Sequence, residues 1–187
     1  MFLAYFSKEI LCNNKIWTIA ILCRGGIVLI VETQQEMDRL RRIGEVVALT
    51  RETMLSALQP GITTSELDAM GAKYLAKRGA RSAPKVMYNF PGATCISVND
   101  EAAHGIPGKR VIQAGDMINI DVSAELDGYY ADTGVSVVVG TANTEKIQLC
   151  KCAQAALYSA IAEATTGARM NLIGKSIQRE AQRAGFT

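Results

Sequence analysis

The sequence lacks any uncharged stretch long enough to cross a membrane. In the amino-terminal segment, the longest uncharged runs are residues 16–23 and 25–31, and Arg24 separates them. Both fall well short of the ~20 apolar residues that a spanning helix needs. The first residues also lack the basic start and the small-residue cleavage site of a secretory signal. We therefore predict neither a membrane anchor nor a signal peptide.

The chain also lacks a strong charge bias, because 20 Lys and Arg residues are balanced by 18 Asp and Glu residues. It has no long basic run, no low-complexity tract and no Gly/Ser linker. The net charge of +2 gives no indication of nucleic-acid binding. A length of 187 residues, 49% hydrophobic and 20% charged, predicts one globular domain.

The five cysteines do not have the even number or the regular spacing of a disulfide framework. Such usage is typical of a reducing compartment, so we predict a cytoplasmic location. Cys150 and Cys152 lie two residues apart in a predicted helix and point in different directions. We interpret them as packing residues and not as metal ligands.

Helices are predicted at both ends of the chain, with strands between them. Thr33 with Glu36 and Thr63 with Glu66 form capping boxes that begin the first two helices. Glycine signals at the helix ends recur with the same separation, Gly61 with Gly79 and Gly167 with Gly185, which indicates an internal repeat. The remaining predicted elements are strands near residues 95–98, 117–124 and 129–139, and helices at about 144–165 and 171–184.

The strongest local signal is the two-residue turn Asp127-Gly128, which predicts a β-hairpin. The resulting register places Asp121 opposite Gly134 and Ser123 opposite Asp132. Because side chains alternate between the two faces of a strand, both aspartates lie on the polar face. They become diagonal neighbours, roughly 5.5 to 8 Å apart at Cβ.

Two carboxylates at this distance repel each other unless a cation lies between them, which indicates a metal site. A solvated pair on the wet face of an antiparallel sheet is the alternative. Gly134 slightly favours the metal site, since a strand glycine often marks the close approach of a ligand. His104, the single histidine, falls in a loop, where a functional and a structural role remain equally open.

The chain resembles the type I methionine aminopeptidases, which are pita-bread metallohydrolases, from about residue 28 to residue 187. Five segments carry the resemblance: YNFPGATC (88–95), SVND (97–100), HGIP (104–107), GDMINIDV (115–122) and DGYYADT (127–133). It implies an α+β fold in which helices cover a curved antiparallel sheet. It also implies a catalytic domain over residues 28–187, preceded by a non-family extension, residues 1–27, that we interpret as translated upstream sequence.

The resemblance assigns roles to six residues. Asp121 is similar to the bidentate metal ligand, and Asp132 is similar to the carboxylate that bridges two metal ions. His104 corresponds to the non-ligand histidine that hydrogen-bonds the scissile amide. The expected pocket for the methionine side chain contains Tyr88, Phe90 and Cys95, with His104 beside it.

The implied chemistry is hydrolysis of the first peptide bond of nascent proteins that begin with methionine. A hydroxide held by two divalent ions attacks the carbonyl. Cobalt, manganese, iron and zinc all suit the ligands, and the sequence does not choose among them. The expected partners are peptides with an N-terminal methionine and, through the resemblance, the ribosome.

The resemblance also predicts a shortage of ligands. The family site uses two aspartates, one histidine and two glutamates, whereas this chain matches only the two aspartates. We therefore expect a truncated chain with an incomplete second half-repeat and little or no peptidase activity alone. A non-catalytic pita-bread binding protein and an inert truncated remnant are the alternatives. A prolidase-like enzyme is a further rival, but it would carry a long preceding domain.

Overall fold

A computed structural model of the chain describes residues 31–140 and 144–186, and the backbone of residues 21–22 and 28–29. The predicted extension, residues 1–27, lies outside the described residues except for the first short strand. The elements in chain order are β1 (Ile21–Leu22), β2 (Val28–Leu29), α1 (Gln34–Ala57), α2 (Thr64–Lys77), β3 (Arg81–Ser82), α3 (Ala83–Tyr88), β4 (Cys95–Val98), β5 (Met117–Leu126), β6 (Tyr129–Val138), α4 (Thr144–Glu163) and α5 (Met170–Arg183).

Strand β5 is the centre of a four-stranded antiparallel sheet. It pairs with β6 along its whole length. Its other edge is shared: β3 pairs with residues 124–125, and β4 pairs with residues 118–121. A separate two-stranded ladder joins β1 to β2. All of these pairs are antiparallel, as expected for the sheet.

The predicted hairpin register is confirmed, with Asp121 opposite Gly134 and Ser123 opposite Asp132. The turn residues Asp127 and Gly128 have φ angles of 53° and 86°. Positive φ at both positions matches the right-handed twist of the flanking strands, which is why Asp-Gly is favoured there. A local sequence signal therefore determines which strand residues are neighbours.

The two faces of the hairpin differ as predicted. On β5, the side chains that point towards α1 are wholly buried, and they are Ile118, Ile120, Val122 and Ala124. They join one hydrophobic core with α1 residues such as Ile43 and Met54. The opposite face of β5 carries the polar side chains, of which Asn119, Asp121 and Ser123 are partly covered and Glu125 is buried. Burial of one face fixes the register, because a slip of one residue would turn the aspartates into the core.

Both predicted capping boxes are present. Thr33 accepts a hydrogen bond from the backbone of Glu36, and Thr63 accepts one from Glu66. Each cap is worth about 1 kcal/mol because it satisfies backbone N–H groups left over at the helix start. Within the described residues, no helix combines the length and the apolar character needed to traverse a bilayer.

Two elements between α2 and β4 were not predicted, namely β3 and α3. Strand β3 has only two residues, too few for an alternating pattern to show. Helix α3 has six residues, with Ser82 as its N-cap and Pro at its start. It ends at Asn89, which adopts the left-handed conformation with φ 53°. Such short pieces are determined by their tertiary contacts.

Helices α4 and α5 pack against each other, as α1 and α2 do, which is compatible with the predicted repeat. Gly61, Gly79, Gly167 and Gly185 all have positive φ, so the turns of the two pairs share a backbone conformation. The two pairs differ in burial, since α4 and α5 bury only Ala156, Ala160 and Ser176. Among the described residues, the outer edge of β6 has no strand beside it.

The loop between β4 and β5 is attached to β4 at Gly105. Its carbonyl accepts from the Ile96 N–H at 3.0 Å, and its N–H donates to Ser97 Oγ at 3.0 Å. A Cβ atom at Gly105 would lie 2.7 Å from Ser97 Cα and would overlap the Ile96 carbonyl. Only glycine allows this close approach, which holds His104 next to the sheet.

We expect Gly105→Ala to lower the free energy of unfolding by about 1–3 kcal/mol, since backbone must move to admit the methyl group. Urea unfolding followed by circular dichroism measures the effect. Gly174→Ala is the matched control, because a Cβ atom added at Gly174 would have no atom within 4 Å apart from its chain neighbours and the backbone of its own helix. It lies inside α5, so it should leave stability unchanged or raise it by up to ~1 kcal/mol. Equal effects of the two changes would contradict this account.

Candidate functional site

The candidate site is a pair of carboxylates at the middle of the β5–β6 hairpin. Asp121 and Asp132 lie on the polar face of the sheet, and their carboxyl groups share a hydrogen bond. The predicted diagonal contact is therefore confirmed. A Cβ at Gly134 would lie 4.0 Å from Oδ1 of Asp121, an ordinary contact. Glycine is therefore compatible with the site but is not sterically required there.

The pKa values of both carboxyl groups are raised. Burial is the largest cause for Asp132, followed by the charge of Asp121 and the hydrogen bond that protonated Asp132 donates to Asp121, and together they raise the pKa of Asp132 to about 7. Burial also raises the pKa of Asp121, while the hydrogen bond from Asp132 and the nearby His104 act in the opposite direction. Without a cation, the pair therefore holds a proton that free aspartates would have released at neutral pH.

Cys95 pairs directly with Asp121 across β4 and β5, so the two side chains share a face. The thiol is buried, with 6% of the residue exposed. Burial, followed by the charges of Asp121, Asp132 and Asp68, raises its pKa to about 12. Cys95 therefore stays protonated and behaves as a small apolar wall beside the carboxylates, not as a nucleophile.

His104 lies in the loop that Gly105 attaches to β4. It is exposed, and it adopts the left-handed conformation with φ 57°. Non-glycine residues rarely take this conformation, so the surrounding loop must hold it there. His104 is close enough to Asp121 to lower the pKa of that carboxyl group. The structure thus brings Asp121, Asp132 and Cys95 together on one face of the sheet, with His104 in the neighbouring loop.

Tyr88 and Phe90 lie at the end of α3 and just after it. Tyr88 is the last residue of α3 and is 79% exposed. Phe90 is half-buried, and its N–H donates to the Pro84 carbonyl at 3.2 Å. The described residues therefore leave the tyrosine ring open to solvent, and the pocket assigned to these two residues stays a prediction.

The second carboxylate of β5, Glu125, belongs to a different contact. Its Oε2 accepts from Arg81 Nε at 2.7 Å, and its Oε1 accepts from the Gly128 N–H at 2.6 Å. The bond from Arg81 is the largest cause that lowers its pKa. Because both oxygens are occupied by protein donors, Glu125 stabilises the hairpin turn and β3.

Sequence reasoning missed two residues that support the site from the helices. Arg51 of α1 donates from Nη1 to Thr133 Oγ1 at 2.7 Å, next to Asp132. Asp68 of α2 accepts hydrogen bonds from Ala93 and Thr94, next to Cys95. On a helix, such charged residues resemble a solvated face. No local pattern reveals partners that lie 25 or more residues away.

The carboxylate pair fits part of a divalent metal site. Hard cations prefer carboxylate oxygen, and a cation would remove the repulsion between the two groups. A protein site for such ions generally needs four or more ligands. Across residues 31–140 and 144–186, no three His, Cys, Asp or Glu side chains are grouped so as to hold a metal ion. The described residues therefore supply two ligands and not a whole site.

Comparison with known families supplies the decisive observation. The model of metallopeptidase family M24 matches residues 38–187, which include the whole hairpin and its carboxylate pair. The chain belongs to metallopeptidase family M24. Metal dependence follows at the level of the family, whereas the identity and number of metal ions do not.

Among curated proteins, this M24 chain is similar to enzymes named methionine aminopeptidase. It is 47% identical over 160 residues to methionine aminopeptidase 2 of Bacillus subtilis, and the match covers 85% of this chain and 64% of that protein. It is 35% identical to the methionine aminopeptidase of Aquifex aeolicus, and that match covers 82% of this chain and 62% of the Aquifex protein. The M24 chain thus spans a little less than two thirds of the length of these relatives.

Solved structures support the pita-bread fold. A methionine aminopeptidase of Thermotoga maritima matches with a TM-score of 0.79 and 28% identity, over 82% of the M24 chain and 62% of that protein. A prolidase of Pyrococcus furiosus matches with a TM-score of 0.72 and 18% identity, over 83% of the M24 chain and 44% of the prolidase. The second likeness shows the fold alone. The M24 chain therefore has the expected antiparallel sheet covered by helices.

The raised pKa of Asp132 gives a pH-dependent stability for the chain in the presence of a chelator. Between pH ~4 and pH ~7, the folded state holds a proton that the unfolded chain has released, because the ordinary aspartate pKa is 3.8. The contribution of Asp132 to folding is thus most favourable below pH ~4 and is lost as pH rises to ~7. Allowing for partial exposure, we expect a loss of roughly 1–3 kcal/mol.

Urea unfolding at a series of pH values measures this dependence. Asp132→Asn should flatten this part of the curve, since the amide does not titrate and does not repel Asp121. A divalent cation in excess should have the same effect on the unsubstituted chain. Parallel curves for the two chains would contradict the assignment of the raised pKa to this pair.

Proposed function

We propose that the chain is part of a methionine aminopeptidase that removes the N-terminal methionine from newly made proteins. One observation carries the proposal: two partly buried carboxylates, Asp121 and Asp132, contact each other within a sequence that is 47% identical to a methionine aminopeptidase. Keeping this contact costs stability in the absence of a cation, because burial raises the pKa of both groups and the charge of Asp121 raises that of Asp132 further. Its presence in the hairpin is best explained by a metal-binding role.

The ions to be held are divalent, and cobalt, manganese, iron and zinc all accept carboxylate ligands. Asp121 and Asp132 would hold two such ions. When bound, these ions would lower the pKa of water and polarise the carbonyl of the first peptide bond. The two carboxylates themselves would then be fully ionised, because a neighbouring cation stabilises their charged forms.

We assign the other site residues by position. His104 is exposed beside Asp121, where its ring could donate a hydrogen bond to the amide of a bound substrate. Cys95 is a buried, protonated thiol on the same face, and it suits the wall of an apolar pocket. Tyr88 and Phe90 would complete this pocket around the methionine side chain. A protonated thiol and aromatic rings would favour an apolar side chain over a charged one.

The two carboxylates alone are too few to hold the ions tightly. We propose that the remaining ligands come from protein outside the described residues, since the chain spans 64% of the Bacillus subtilis relative. The outer edge of β6 is unpaired in the part of the chain that the structure describes. It offers the backbone N–H and C=O groups that an additional strand needs. We expect little peptidase activity from this chain alone.

The setting of this activity is also a proposal. We place the catalytic-domain portion at residues 28–187 and its action in the cytoplasm, on nascent peptides that begin with methionine. Cys95, Cys150 and Cys152 are free thiols, which is compatible with a reducing compartment. Association with the ribosome stays a prediction, for which no docking surface is assigned.

Metal titration tests the proposal on the chain itself. We expect Co²⁺ to bind and to raise the melting temperature, with the affinity reduced about 10-fold or more in Asp132→Ala. Calorimetry and thermal unfolding measure these effects. Asp116→Ala is the control, because Asp116 is an aspartate at the start of β5 whose carboxylate bonds Asn99 and the Gln113 N–H. Binding that survives in Asp132→Ala would contradict the metal assignment.

Release of methionine from Met-Ala-Ser, with Co²⁺ or Mn²⁺ added, tests the activity. We expect a rate far below that of the full-length Bacillus subtilis relative assayed in parallel. A normal rate that is lost in Asp132→Ala would show that a second copy completes the ligand set. A normal rate that persists in Asp132→Ala would exclude the proposed site.

A further inference from the structure

One carboxylate from α2 holds the turn that precedes β4. Oδ1 of Asp68 accepts from the Ala93 N–H at 3.0 Å, from the Thr94 N–H at 2.7 Å and from Thr94 Oγ1 at 2.7 Å. Its Oδ2 accepts from the same Ala93 N–H at 3.1 Å. Ala93 and Thr94 are almost wholly buried, at 2% and 0% exposure. Hydrogen bonds to an ionised acceptor are about twice as strong as neutral ones, so Asp68 is the main anchor of this turn.

The turn packs closely against its neighbours at two glycines. A Cβ at Gly71, in the next turn of α2, would lie 2.6 Å from Met54 Sδ and 3.1 Å from Thr94 Cγ2. A Cβ at Gly92 would lie 2.7 Å from Pro107 Cδ, in the loop that carries His104. Because these contacts leave no free space, a movement of the turn would be transmitted to that loop.

The turn leads directly into the candidate site. Thr94 is followed by Cys95, which pairs with Asp121 on β5. The effect of Asp68 on the pKa of Cys95 shows that this carboxylate lies near the thiol. Asp68 has its own hydrogen-bond donors on the turn, so its link to Asp121 runs through β4.

We propose that Asp68 is a positioning residue of the candidate site. It holds residues 91–94 so that Cys95 and the loop that carries His104 stay beside the carboxylate pair. The functional meaning of this inference rests on the proposed function, whereas the positioning itself does not. If Asp68 served only general stability, its loss would speed hydrogen exchange equally across the whole fold. If it is a positioning residue, its loss speeds exchange in this turn and alkylation of Cys95 selectively.

The test measures the alkylation rate of Cys95 by iodoacetamide, with a chelator present and with peptide mass mapping of the product. In Asp68→Ala we expect the rate to rise about 10-fold or more, because the turn opens without its acceptor. In Asp68→Asn we expect a rate within about 3-fold of the unsubstituted chain. The amide oxygen can still accept the bonds that Oδ1 accepts, although the charge is gone.

Asp68→Asn therefore separates positioning from charge. Loss of the charge alone would also speed alkylation by lowering the pKa of the thiol, and it would do so equally in both variants. Equal rates in Asp68→Ala and Asp68→Asn would overturn the proposal, as would no change in either. Asp38→Ala controls for loss of a carboxylate elsewhere, since Asp38 lies on α1 with its side chain 61% exposed.

Amide hydrogen exchange separates local from global effects. In Asp68→Ala we expect faster exchange at Ala93 and Thr94, with the β5–β6 ladder still protected; uniform loss of protection would overturn the proposal. If Asp68→Ala does not fold, Thr94→Val decides, because it removes only the hydroxyl bond to Asp68. Its Cys95 should react faster than in the unsubstituted chain, and an unchanged rate would then overturn the proposal.

An additional experiment tests the methionine pocket separately from the positioning role of Asp68. L-methionine, added with Co²⁺, should slow the alkylation of Cys95 in the unsubstituted chain if this residue lines the methionine pocket. Absence of protection would count against the pocket. The comparison of Asp68→Ala with Asp68→Asn would still decide the positioning role.

Discussion

The repulsion between two partly buried carboxylates is the constraint around which this structure is arranged. Asp121 and Asp132 are diagonal neighbours on adjacent strands, and burial raises the pKa of both. A free chain reduces the repulsion by retaining a proton, whereas a bound cation would remove it and displace the proton. The hairpin therefore loses stability by keeping the carboxylates together, and that cost is the clearest physical sign of a binding function.

The rest of the fold keeps this pair in place. The Asp127-Gly128 turn sets the register, and the apolar face of β5 against α1 prevents a slip. Arg51 contacts the β6 strand beside Asp132, and Asp68 contacts the turn that leads to Cys95. Helices α1 and α2 thus act on the site through the strands and the turn that they contact. These contacts hold the site on the helix side, and within the described residues no strand pairs with the outer edge of β6.

Prediction from the sequence succeeded where the signal was local. The capping boxes, the Asp-Gly turn and the alternating pattern of β5 each depend on residues close in the chain, and the elements they predict are confirmed. Prediction failed for β3 and α3, which are too short to show a period. It also missed Asp68, because a helical aspartate looks the same whether it faces water or buried N–H groups. Long-range hydrogen bonds leave no periodic trace in a sequence.

The sequence by itself determined the hairpin, the face on which its aspartates lie and the family resemblance that assigns them to a metal. These follow from strand alternation and turn chemistry, which are properties of neighbouring residues. Only the tertiary structure decided which charges are available to a ligand. Glu125 accepts hydrogen bonds from Arg81 and the Gly128 N–H, and Asp68 accepts them from the turn before β4. Asp121 and Asp132 share a hydrogen bond with each other. That distinction depends on burial and on partners brought together by folding, and composition and spacing do not contain it.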